Sequence, residues 1–170
     1  MKVLLTVAVA LVLQMALARF AIGGRWVFDL VLVGVVYAAL RWGPVAGMWT
    51  GTIGGLLQDA LGAGVVGIGG LAKTVVGVAA GVAGAQFMVA RPLGGAEMVA
   101  AATVAHRLMV LGLFAVVDQD WFGVPWTAML IEAALNATAG LVALHVTDRL
   151  PGAVRETRAR RRPSLSRRNW

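Results

Sequence analysis

Six apolar stretches, each near the length a helix needs to cross a bilayer, run through this chain of 170 residues. A spanning helix takes roughly 20 apolar residues to cover a hydrocarbon core of about 30 Å. The stretches run from Val3 to Phe20, Trp26 to Leu40, Pro44 to Leu61, Val66 to Val89, Glu97 to Val117 and Pro125 to Thr147. The second is short and suits a helix with little tilt or a locally thin bilayer. With 59% hydrophobic and only 14% charged residues, a soluble domain of this size has too little interior to hide the apolar surface. The expected class is therefore all-α: a polytopic membrane domain of about six transmembrane helices over residues 1–150, followed by an arginine-rich cytoplasmic tail, 151–170.

Turn chemistry falls between the stretches. Gly23-Gly24, Gly43-Pro44, Gly62 to Gly64, Arg91-Pro92-Leu93-Gly94-Gly95 and Asp118 to Gly123 separate successive spans, and Pro151-Gly152 ends the last. Proline suits a first helical turn, where its missing N–H costs nothing. Trp26, Trp42, Trp121 and Trp126 sit at expected boundaries, the level an amphipathic indole prefers. Lys2 and Ala16-Leu17-Ala18 resemble parts of a signal peptide, but the following Arg19 and the polytopic remainder point to an uncleaved anchor.

Charge distribution orients the bundle. From Arg149 onward eight arginines face one acid, Glu156, which accounts for the whole net charge of +7; upstream, seven basic residues balance seven acidic ones. Basic residues stay on the cytoplasmic side. Lys2, Arg41, Arg91 and the tail residues Arg155, Arg158, Arg160, Arg161, Arg162, Arg167 and Arg168 would share that side, with both termini. Arg19 and Arg25, offset by Asp29, would lie on the other with Asp59, Asp118 and Asp120. The tail reads as a topology determinant or as a segment that holds anionic lipid, and nucleic acid is the weaker partner for it.

Two groups of residues stand out within the spans. Gly43, Gly47, Gly51 and Gly55 recur every four residues, with Asp59 one step further. On a helix they share one slowly rotating face, which lets backbones approach closely in lipid, either inside the molecule or against a partner. Gly77 and Gly81 make a second small pair. Asp59, near the outer end of its helix, still reaches water.

Lys73, Arg107 and Glu132 lie deeper, where unpaired charge is costly. Lys73 and Glu132 are each about seven residues inside the outer boundary, roughly 10 Å at 1.5 Å per residue. Glu132 is therefore the expected partner of Lys73, Arg107 or both, with Asn136 one turn away to add hydrogen bonds. Such a set can fix helix order, carry a proton or ion, or contact a partner.

No catalytic constellation is evident. The chain has no cysteine, which removes disulfides, thiolate metal sites and cysteine nucleophiles. His106 reads as a hydrogen-bonded packing residue and not a ligand, and His145 is too distant in this topology to join it at a metal. The Gly62–Gly67 run resembles a dinucleotide fingerprint but sits between membrane helices, not after a strand. No cofactor is expected.

The segment from Phe28 to Phe87 resembles the rod shape-determining membrane protein family MreD. The resemblance rests on Phe28-Asp29-Leu30, on Arg41-Trp42-Gly43-Pro44-Val45-Ala46-Gly47, on Gly51 and Gly54-Gly55-Leu56-Leu57-Gln58-Asp59, and on Gly67 and Gly70-Leu71-Ala72-Lys73-Thr74. It implies a fold similar to the substrate-binding subunits of energy-coupling-factor transporters and no enzymatic activity. It also implies a place in the bacterial cytoplasmic membrane with MreC, near RodA, a class B penicillin-binding protein and MreB. A substrate-binding subunit of a vitamin-type transporter is the alternative. That reading needs an outward pocket with several polar groups, whereas the outer loops are short and few polar residues besides Gln58, Asp59, Lys73 and Glu132 could line one. A proton or ion carrier built on Lys73 and Glu132 is a third.

Overall fold

The computed structural model describes residues 1–17, 28–62, 65–86, 92–118 and 123–149. Among these there are six helices and no strand: α1 (Lys2–Leu17), α2 (Leu30–Trp42), α3 (Pro44–Leu61), α4 (Ile68–Gln86), α5 (Pro92–Asp118) and α6 (Trp126–Arg149). Gly23-Gly24, Arg19, Arg25, Trp26, Arg91, Asp120, Trp121 and the arginine tail from Arg155 to Arg168 lie outside the described residues. Three helical segments, Ile68–Gln86, Leu93–Val117 and Trp126–Thr147, are long and apolar enough to cross a membrane, while Lys2–Leu17 and Leu30–Trp42 are apolar but shorter.

The expected boundaries shift at two places. The break from Arg91 to Gly95 is shorter than expected: α5 begins at Pro92 and carries Gly94 and Gly95 within its first turn. Proline is pre-organised for that first position, and Gly95 lets Leu144 of α6 come close. α2 begins at Leu30, not at Trp26, because Asp29 caps it: Asp29 Oδ1 accepts the Leu32 N–H at 3.0 Å.

This short helix is the centre of the molecule. α2 touches all five other helices, and Val31, Leu32, Val33, Val35, Val36, Ala38 and Ala39 are buried around its whole circumference. Leu32, Val33, Val36 and Ala39 form the core with Val76 and Ala80 of α4 and Val99 and Ala102 of α5. At 13 residues, α2 is about 20 Å long at 1.5 Å per residue. It needs no greater length, because protein and not lipid surrounds it.

α3 and α4 pack backbone to backbone. A Cβ on Gly51 would lie 2.5 Å from the Lys73 carbonyl oxygen, and one on Gly55 would lie 2.5 Å from Gly70 Cα. Gly47 and Gly77 face each other in the same way, and a Cβ on Gly81 would lie 2.5 Å from Pro44 Cα. The Thr52 and Thr74 hydroxyls add a 2.9 Å hydrogen bond across the pair. Gly43 departs from the expected glycine face. It has φ +94° and open space around its α-carbon, so it serves the sharp turn from α2 to α3 instead.

The bundle's outside is apolar: Leu5, Val12, Trp49, Leu61, Val116 and Leu130 are all exposed. Trp42 and Trp126, at helix ends, are exposed as well. Its inside holds the polar residues Gln14, Asp29, Thr50, Lys73, Thr103, His106, Glu132 and Asn136, all buried.

Candidate functional site

The polar interior is built around the N-terminus of α2. The first amides of any helix lack intrahelical partners, and here that end lies inside protein, away from water. Side chains of two neighbouring helices and the helix's own cap satisfy it. Asn136 of α6 accepts the Asp29 N–H through Oδ1 at 3.0 Å. Gln14 of α1 accepts the Leu30 N–H at 2.7 Å and donates through Nε2 to the Phe28 carbonyl at 2.8 Å. Asp29 itself caps Leu32. Asn136 Nδ2 also donates to Thr103 Oγ1 on α5 at 3.3 Å. Side chains from α1, α5 and α6 are thus tied to one backbone end.

Asp29 is therefore no surface charge offsetting Arg19 and Arg25, as the sequence suggests, but the buried partner of Lys73. Lys73 Nζ lies 2.8 Å from Asp29 Oδ2. Glu132 is taken by Arg107, whose Nε donates to Glu132 Oε2 at 2.6 Å and whose Nη2 reaches the same oxygen. Of the two cations expected as partners of Glu132, Arg107 takes that place and Lys73 has a carboxylate of its own. Asn136 stands one turn from Glu132 but is spent on Asp29 and Thr103.

Lys73 Nζ is also 3.3 Å from His106 Nε2. An ammonium only donates, so the imidazole accepts at Nε2 and carries its proton on Nδ1. His106 is thus a hydrogen-bonded residue of the packed interior, as expected, and its partner is the charged Lys73. Its neighbour Arg107 gives no hint of this in sequence, because adjacent helical residues point apart. The signal for Asp29 was stronger: an aspartate just before an apolar run is a good helix cap, and a cap read there places the carboxylate at the depth of Lys73.

Asp59 closes the other side of the cluster. Its Oδ2 accepts from Gly67 N and Gly70 N, each at 2.9 Å, and ties the first turn of α4 to the last turn of α3. Gly69 makes room for it, since a Cβ there would collide with Asp59 Oδ1. Gly67, with φ +106°, lets the chain turn into α4.

Between these groups lies a cavity of about 220 Å³. It lies at the end of the bundle where α3 finishes and where α2, α4 and α6 begin. Gln58 and Asp59 line it from α3, Lys73 from α4, and Phe28, Val110 and Phe114 supply apolar wall. Asp29, His106, Arg107 and Glu132 also line it. Two buried polar atoms among the described residues have no hydrogen-bond partner, Gln58 Oε1 and His106 Nδ1, and both residues line this cavity. Among the described residues no group of histidine and carboxylate side chains is placed to hold a metal ion.

These features define a helical bundle with an apolar exterior, a charged interior and a polar cavity near one end. Comparison with protein-family models, with curated proteins and with solved structures returned no match to the chain.

Proposed function

We propose that this chain is a six-span, non-enzymatic component of the bacterial cell-elongation machinery, of the MreD kind. It lies in the cytoplasmic membrane with both termini in the cytoplasm and acts beside an MreC-like bitopic protein. The observation that carries this reading is the α3–α4 pair. The residues of the resemblance are the ones that build it: Gly47, Gly51 and Gly55 meet Gly77, Lys73 and Gly70 at the backbone, and Asp59 closes the connecting turn on Gly67 and Gly70. Most of the resemblance thus falls on one structural unit, and the rest, Phe28-Asp29-Leu30 and Arg41-Trp42, marks the two ends of the adjoining α2. The apolar outer faces supply the lipid contact that six spans need, and α2 is short because it is enclosed. In this reading the arginine tail lies beside anionic headgroups on the side of MreB. RodA and the class B penicillin-binding protein belong to the same assembly.

The test is purification of the tagged full chain from bacterial membranes in mild detergent, with partners identified by mass spectrometry. The expected result is an MreC-like bitopic protein in stoichiometric yield. Recovery of the chain alone overturns the reading.

One observation favours the second reading, a substrate-binding membrane subunit of a small-molecule transporter. The polar cavity is lined by Gln58, Asp59, Lys73 and Glu132, the set such a subunit needs. Co-purification of ATPase subunits in place of a bitopic protein would select it.

A further inference from the structure

We infer that the cavity at the end of α3 binds a small organic cation, whose ammonium group sits on Asp59. The inference comes from the charges and walls of the cavity and rests on neither reading of the whole chain.

Three carboxylates line the cavity, Asp29, Asp59 and Glu132, and two cations, Lys73 and Arg107. Each cation has taken one carboxylate, Lys73 with Asp29 and Arg107 with Glu132. His106, also on the lining, is neutral, since its Nε2 accepts from the Lys73 ammonium. Asp59 therefore has no cation partner among the described residues. Its Oδ2 accepts from Gly67 N and Gly70 N, but a helix N-terminus supplies only about half a unit of positive charge. The lining thus keeps a negative charge, and that charge is centred on Asp59.

One oxygen of this carboxylate is open to a ligand. Asp59 Oδ1 accepts no hydrogen bond from the described residues, yet it is not among the enclosed atoms without a partner, which are Gln58 Oε1 and His106 Nδ1. Gly69 keeps it uncovered: this residue also lines the cavity, and a Cβ there would collide with Oδ1. α3 and α5 do not touch among the described residues. Asp59 and Arg107 therefore stand on different sides of the cavity, and the guanidinium charge is already met by Glu132.

The walls and the size select an organic ion. A bare metal ion takes several oxygen ligands at once, and one open carboxylate oxygen does not make such a set. Phe28 and Phe114 line the cavity, and aromatic rings attract ammonium groups, methylated ones included. Ile68 and Val110 add apolar wall for the carbon atoms. A volume of about 220 Å³ holds about seven waters at roughly 30 Å³ each, the space of an ion the size of choline. Binding pockets combine apolar walls with a few placed polar groups in this way.

The experiment uses the full chain purified in detergent and follows its thermal unfolding with the chlorides of ethanolamine, choline and tetramethylammonium. Sodium chloride at equal ionic strength controls for screening, and tert-butanol is the uncharged analogue. The expected result is a saturable rise in Tm with at least one of the three cations and with neither control. In Asp59→Asn, which keeps an acceptor oxygen for Gly67 and Gly70 but removes the charge, the affinity falls about tenfold or more. Phe114→Leu lowers it about threefold, and this variant decides should Asp59→Asn not fold. Lipid headgroups carry the same ammonium groups, so the titration is repeated in phosphatidylglycerol vesicles with and without phosphatidylethanolamine. A weaker apparent affinity with the second lipid assigns the site to a headgroup, and an equal affinity assigns it to a free ion. The inference is overturned if none of the three cations raises Tm above sodium chloride, if tert-butanol raises it equally, or if folded Asp59→Asn keeps the full affinity. Each of these results leaves the partner-capture test untouched.

Discussion

Lys73, in the second turn of α4, sets its ammonium 2.8 Å from the carboxylate of Asp29, the residue that caps the central helix α2. Both side chains are almost wholly enclosed, at 3% and 9% exposure. The pair joins the α3–α4 unit to the core helix, and it joins the polar network to the cavity.

Breaking one side of this pair should be costly, and removing both charges much less so. In a buried ion pair the loss of one partner leaves an uncompensated charge, which costs about 3 kcal/mol or more. Lys73→Met should therefore lower Tm sharply. Adding Asp29→Asn to it should restore most of the loss, because asparagine keeps the helix cap on Leu32 while removing the stranded charge. Thermal unfolding of the two variants in detergent checks this. Equal destabilisation in both would show that charge is not what the pair supplies.

Gly51→Ala should destabilise the bundle by about 1–3 kcal/mol, the usual range for overpacking. The added carbon would sit 2.5 Å from the Lys73 carbonyl oxygen, and backbone cannot move aside as a side chain can. Gly112→Ala, on α5 with open space at its α-carbon, should instead gain about 0.5–1 kcal/mol from helix propensity. Unfolding midpoints of the two variants should move in opposite directions.

Asp59→Ala should loosen the start of α4 without dismantling the bundle. It leaves Gly67 N and Gly70 N without their acceptor, a loss of about 1–2 kcal/mol. Hydrogen exchange at these two amides should speed up, while the α2 amides of the core stay protected. Asp59→Asn, which retains an acceptor oxygen, should show the smaller effect. Unchanged exchange at Gly67 and Gly70 would remove Asp59 from the role of clasp.

Because the chain has no cysteine, single introduced thiols report topology directly. If the proposed six spans and cytoplasmic termini hold, Gly62→Cys and Gly123→Cys should react with a membrane-impermeant maleimide in intact cells. Gln86→Cys should react only after permeabilisation. All three positions are exposed, so access to the reagent and not burial decides the labelling. The reverse pattern would invert the orientation read from the arginine tail.

The amino-acid sequence determines by itself that the chain is helical, with an apolar outside and a backbone-contact face at Gly47, Gly51 and Gly55. These properties are local: hydrophobic length, turn residues and a four-residue repeat are written along the chain, and a helix satisfies its own backbone wherever it lies. It also isolates Lys73, Arg107 and Glu132 as groups in need of partners, since their depth follows from counting residues inward from a helix end. Only the tertiary structure decided how they pair. Asp29 was read as an end charge because its depth depends on where α2 starts. Asp29 caps that start locally, but it is buried by Asn136 and Gln14, which lie 107 and 16 residues away in the chain from the backbone groups they bind. His106 joins the cluster, Gly43 leaves the packing face for a turn, and Gln58 and His106 meet at one cavity for the same reason. Their partners are chosen by the lateral arrangement of helices, and a single-helix periodicity carries no record of its neighbours.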